Sequence, residues 1–135
     1  MPFLSDDQGA LAGRLVLLVD DNVGFSEALS DWLESCGARV ATADTVEGAV
    51  SRVRVARPDL ALIDVCLPDG NGWDCVDRIR TATAGGKSVR VVAMTGHARE
   101  VVSAEAARHG VRWVLTKPVE PDALAATLAA CLDAA

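Results

Sequence analysis

Five short runs rich in Val, Leu and Ile, each followed by a stretch of helical period, constrain the fold of this chain most. The runs fall at residues 15–19, 39–43, 60–65, 89–95 and 111–115. Four are almost continuously apolar, as strands covered on both faces must be, whereas the one around Val40 is mixed and suits a sheet edge. Between them, Phe25, Leu29, Trp32, Leu33 and Cys36 keep one helical stripe, closed by Gly37. Val46, Ala49, Val50 and Val53 make a second stripe, with Asp44 or Thr45 as its N-cap. Trp73, Val76 and Ile79 make a third, ended by Gly85-Gly86. Residues 98–109 are Ala-rich, with Glu105 interrupting the apolar face, and Leu124, Leu128, Cys131 and Leu132 form the last stripe after Pro121.

Strands alternating with helices build right-handed βαβ units, hence a parallel sheet with helices on both faces. Five units predict an α/β, doubly wound, flavodoxin-like (βα)5 fold with strand order 2-1-3-4-5. Its ligand site lies at the carboxyl ends of the strands, beside the order reversal. With 135 residues the chain has room for one domain. Residues 1–13, containing Ser5-Asp6-Asp7-Gln8-Gly9, read as a flexible leader on which Leu11 packs locally.

A net charge of −6 gives no general attraction to nucleic acid or an anionic membrane. No apolar run is long enough to span a bilayer, so a cytoplasmic location is expected. Cys36, Cys66, Cys75 and Cys131 lack both CxxC spacing and paired histidines, and read as free thiols in a reducing compartment.

Asp20 and Asp21 close the first run, Asp64 lies near the end of the third, Thr95 closes the fourth, and Lys117-Pro118 follow the fifth. The predicted topology brings all of them to one end of one sheet. Three neighbouring carboxylates repel one another unless a cation compensates. An all-oxygen donor set favours a hard ion, Mg²⁺ in particular. Phosphoryl transfer needs a lysine, a metal ion and a hydroxyl to receive spreading negative charge. Lys117, the ion and Thr95 supply these, with Asp64 as the nucleophile. Singly, each residue has a plainer reading. Asp20-Asp21 suits a strand end and a helix cap, Lys117 a solvated charge, and Asp69-Gly70-Asn71-Gly72 a turn.

Together, Val16-Leu17-Leu18-Val19-Asp20-Asp21-Asn22, the segment Leu62-Ile63-Asp64-Val65-Cys66-Leu67-Pro68-Asp69-Gly70-Asn71-Gly72, Val92-Ala93-Met94-Thr95-Gly96 and Leu115-Thr116-Lys117-Pro118 resemble the receiver domain of two-component response regulators. The resemblance runs from about Arg14 to Leu132, giving a receiver domain over residues 14–135. It implies that Asp64 accepts a phosphoryl group from a phosphohistidine. It also implies that Asp21 ligates Mg²⁺ directly, Asp20 through water, and Cys66 through its backbone carbonyl. Thr95 then matches the switch hydroxyl, and Lys117 the phosphate-binding lysine. Pro68 and Gly72 match residues shaping the loop, and Pro118 implies a cis bond after Lys117. Cys66 and His97 occupy positions that tune water access to the acyl phosphate, although His97 reads equally as a loop histidine.

One departure concerns the switch. The family usually carries Tyr or Phe where Val114 stands, and Trp113, one position before it, faces the other side of a strand. Partners implied are a sensor histidine kinase or histidine phosphotransfer protein, and a downstream protein meeting helix 4, strand 5 and helix 5. A weak homodimer is a further expectation. The reading is a signalling phospho-acceptor, not an enzyme. A haloacid-dehalogenase-type phosphatase would carry Asp where Cys66 stands, and a flavin-binding module would need a hydroxyl- and glycine-rich loop where Asp20-Asp21 stand. One helix fits after Pro118, so either a stand-alone receiver or a piece of a larger kinase or regulator is expected.

Overall fold

The computed structural model describes residues 11–86, 88–96 and 99–133. Each apolar run forms a parallel strand: β1 Leu15–Val19, β2 Arg39–Ala43, β3 Leu60–Asp64, β4 Arg90–Thr95 and β5 Trp113–Thr116. The helices between and after them are α1 Val23–Ser35, α2 Val46–Val55, α3 Gly72–Ala82, α4 Arg99–Arg108 and α5 Pro121–Asp133. The strands lie in the order β2-β1-β3-β4-β5, all neighbours parallel, as the alternation predicts. The order reverses between β1 and β3, so their carboxyl ends flank the crevice expected of such a sheet.

Strand alternation divides the core into two layers. On one face Val16, Leu18, Leu60, Leu62, Val92 and Met94 pack against Leu29 and Leu33 of α1 and Leu124 and Leu128 of α5. On the other, Leu17, Val19, Ala61, Ile63 and Ala93 meet Val46, Ala49 and Val53 of α2, Val76 and Ile79 of α3, and Ala106 of α4. Leu18, Leu60, Leu62 and Ile63 are 0% exposed, each worth roughly 1.5–3 kcal/mol of burial. No residue of the β2 edge is buried, and Arg39 and Thr42 are exposed, which accounts for its mixed sequence. Trp113 packs on the α1–α5 layer and Val114 on the other, so the two side chains oppose each other across β5.

Three helices start on side-chain caps that satisfy an otherwise orphaned N–H. Asn22 Oδ1 accepts the Phe25 N–H at 2.9 Å, Thr45 Oγ1 that of Gly48 at 3.0 Å, and Asn71 Oδ1 that of Asp74 at 2.8 Å. Thr45 is thus the α2 cap left open between it and Asp44. Gly37 ends α1 at φ +93°, a left-handed position that suits glycine.

Leu11 packs against the body, as the sequence suggests. Leu11 is 2% exposed in the α1–α5 layer, and Gly13 N–H donates to Gly37 O at 2.9 Å, so 11–13 pack on the body. Residues 1–10 and His97 lie outside the described residues. Within the Asp69–Gly72 stretch, Pro68-Asp69 form the bend of a small antiparallel hairpin pairing Cys66–Leu67 with Gly70–Asn71. Gly70-Asn71 are its returning arm, with Asn71 also capping α3.

Helix α4 buries Val102 and Ala106. Its Glu105 is half-buried and pairs with Arg108 at 3.0 Å and with His109 at 3.9 Å. The polar interruption on that face therefore has partners.

Candidate acidic site at the carboxyl edge of the sheet

Asp20 follows β1 and Asp64 ends β3, so both carboxyls leave the sheet where the order reverses. Both are buried, at 3% and 6% exposure, while Asp21 is exposed. Oxygens of Asp20, Asp21 and Asp64 all lie within 4.8 Å of one another. Buried carboxylates need partners, and these have them. Asp20 Oδ1 accepts the Asn22 N–H at 2.8 Å, and Asp64 Oδ1 that of Cys66 at 3.0 Å. Their other oxygens share one cation: Lys117 Nζ donates to Asp20 Oδ2 at 2.7 Å and Asp64 Oδ2 at 3.1 Å.

Desolvation pulls the pKa of Lys117 down, but the hydrogen bonds and charges of Asp20 and Asp64 outweigh it and hold the group above its ordinary 10.5. Three ionised carboxylates against one ammonium leave two negative charges uncompensated, the complement of one divalent cation. The all-oxygen donors suit Mg²⁺ or a similar hard ion.

The backbone fixes the remaining parts. Thr95 ends β4, pairs in register with Thr116 and is fully buried. The Lys117 N–H donates to Thr95 O at 2.7 Å, and the Lys117–Pro118 peptide is cis. Gly72 N–H donates to Val65 O at 2.8 Å, and a Cβ there would stand 2.4 Å from Asp64 O. Only glycine admits that approach of α3 to the end of β3. Cys66 is exposed in the hairpin, with Pro68 exposed at its bend.

Asp20, Asp21, Asp64, Thr95 and Lys117 thus converge as their strand-end positions predict. Sequence reading missed three neighbours. Phe25 lies beneath the Lys117 ammonium, 4.8 Å from Nζ to ring centroid. Its place on the α1 stripe, four residues after Asp21, marked it only as core. Asp69 caps α2, accepting Val46 N–H at 2.7 Å and Glu47 N–H at 3.2 Å. The Val46 bond, then that of Glu47, keeps the Asp69 carboxyl below its ordinary 3.8 despite some desolvation. Ser26 Oγ reaches Asp20 O at 3.4 Å.

With that geometry in place, comparison with known proteins is specific. The chain belongs to the response regulator receiver domain family, whose model matches residues 16–129. It is 31% identical over 117 residues to protein PilH of Pseudomonas aeruginosa, covering 87% of this chain and 96% of that one. It is 29% identical to the acid tolerance regulatory protein ActR of Rhizobium meliloti over 85% of this chain, and spans 58% of ActR. In structure it resembles the chemotaxis protein CheY4 of Vibrio cholerae, with a TM-score of 0.82 and 28% identity over 89% of this chain and 99% of that one. The chain is therefore a signalling domain of the two-component type. Among the described residues, no helix is long and apolar enough to cross a membrane.

Proposed function

We propose that Asp64 accepts a phosphoryl group from the phosphohistidine of a sensor kinase or phosphotransfer protein, in the presence of Mg²⁺. The observation that carries this is the Lys117 ammonium held between the buried carboxylates of Asp20 and Asp64. A cation so placed is poised to leave one anion for another arriving at Asp64. Asp20, Asp21 and Asp64, with the Cys66 carbonyl, would hold the ion. When bound, it would neutralise the carboxylates and the charge gathering on the phosphoryl oxygens.

The chain's own groups do the rest. An Asp64 oxygen attacks phosphorus as the bond to the donor nitrogen breaks; with the other ring nitrogen of the phosphohistidine protonated, the products are an acyl phosphate and a neutral histidine. Lys117 then pairs with a phosphoryl oxygen, and the Thr95 hydroxyl donates to another. The movement of Thr95 shifts the loop after β4 and α4, presenting α4, β5 and α5 to a downstream protein. With Val114 in place of an aromatic ring, the backbone of 96–100 and α4 carries the change. Cys66 and His97 bear on how long the acyl phosphate survives. The protein works in the cytoplasm, engages neither nucleic acid nor membrane, and self-associates weakly.

Acetyl phosphate with intact-mass detection tests the assignment. Wild-type protein should gain one phosphoryl group with Mg²⁺ and none with EDTA, and Asp64→Ala none in either. Wild-type levels of labelling in Asp64→Ala would sink it.

A further inference from the structure

Phe25 has a task beyond packing. The Lys117 ammonium has three N–H donors, of which two meet Asp20 and Asp64, while the Phe25 ring lies beneath it at 4.8 Å. The ring is fixed from its own backbone, since the Phe25 N–H is the one bonded by the Asn22 cap. It is also wedged, half-buried, against the α1–α5 layer. A neutral π-face attracts a cation without occupying an N–H donor. The carboxylates, by contrast, hold the ammonium through donors that an incoming phosphoryl oxygen must take over. A lysine stem otherwise samples many rotamers. The ring therefore keeps the ammonium over the site while its N–H groups change partner.

Resting on the phospho-acceptor reading above, we propose that Phe25 is a positioning residue for phosphoryl transfer, holding the Lys117 ammonium over Asp64 by a cation–π contact. The reaction it serves, with phosphoramidate as donor, breaks the P–N bond, forms a P–O bond to an Asp64 oxygen and releases ammonia. Phe25 also lines an apolar groove with Trp32 and Val119. A small donor that needs no docking surface separates positioning from partner binding.

The test combines rate and spectroscopy on the intact chain with Mg²⁺. Phe25→Leu, which keeps an apolar side chain, should slow phosphorylation by phosphoramidate roughly threefold, the effect of an ordinary cation–π contact. Phe25→Trp should recover most of that rate. In a Lys117→Met background, Phe25→Leu should change the residual rate no further. In wild type, the ε-methylene protons of Lys117 should show an upfield ring-current shift that Phe25→Leu abolishes. A Phe25→Leu rate equal to wild type, an equal loss in both backgrounds, or an unchanged Lys117 shift would each overturn the proposal. If wild type itself takes no phosphoryl group on Asp64 while the ring-current shift is present, the phospho-acceptor reading is at fault, and the proposal falls with it.

Discussion

Trp73, in the first turn of α3, stacks on His109, which follows α4, with ring centroids 5.5 Å apart and planes at 12°. His109 Nδ1 also meets Asp77 Oδ1 at 2.9 Å, and the Arg80 guanidinium binds the carbonyls of His109 and Gly110. Between them, these contacts fasten the C-terminal end of α4 to α3. His109→Ala should therefore cost about 1–2 kcal/mol in urea denaturation. It should also speed amide exchange in 105–110 relative to β3. Unchanged exchange there would show that the stack is not what fastens the helix.

That tie refines the expected response to phosphorylation. With its far end fastened, α4 should move from its N-terminal side, next to Thr95. Hydrogen exchange with beryllofluoride and Mg²⁺ should change most in residues 95–104 and less in 105–110. The change should shrink in Thr95→Ala. Changes confined to the surroundings of Asp20, Asp21 and Asp64 would contradict a route through α4.

Asp21 offers a clean metal test because it is exposed. Asp21→Asn should leave the fold intact and weaken Mg²⁺ binding at least about tenfold by calorimetry, since a ligand and a charge are lost together. Wild-type protein at a hundredfold excess of Mg²⁺ over its Kd should gain about 2.7 kcal/mol of stability, which EDTA removes. Asp21→Asn should lose about half of that gain, or more, at the same Mg²⁺ concentration.

Stability should fall on the alkaline side, through two buried thiols and one lysine whose contributions share the same sign. Burial pushes the Cys75 thiol from 9.0 to about 12, so above pH 9 the unfolded chain releases a proton that the folded one keeps. Lys117 is held above 10.5 in the folded state, so its contribution is full below that pH and lost as pH climbs through the raised value. Burial raises the Cys131 thiol as well, so Cys75→Ala should make the decline that begins near pH 9 shallower without moving its start, and should leave the later one. An equally steep decline in that variant would refute the assignment.

Of the four thiols, Cys66 is exposed and Cys36, Cys75 and Cys131 are buried. Burial also raises Cys131, to about 11. Iodoacetamide at pH 8 should add one label to the folded protein, at Cys66, and four after denaturation. Two or more fast labels on folded protein would show that a buried thiol opens readily.

What the sequence disclosed follows from where each residue stands along the chain. Asp20, Asp64 and Thr95 each stand at the close of an apolar run, and strand ends in a parallel sheet converge by topology alone. Phe25 over Lys117, Asp69 on the start of α2, and Trp73 against His109 are pairings between separate elements. No local period encodes them, so each partner looked like core, turn or loop by itself. Thr45 against Asp44 turned on one residue of helix boundary, which only the side-chain hydrogen bond decides.

The bond from Lys117 N–H to Thr95 O has a meaning for how this site tolerates drift in its sequence. It joins main chain to main chain, as do the pairing of Thr95 with Thr116 and the bond from Gly72 to Val65. Side chains at 95 and 117 can therefore be exchanged without undoing the frame that presents them. A lineage is free to retune the reactivity of its acyl phosphate one side chain at a time, while the spacing between the two reporters is inherited unchanged.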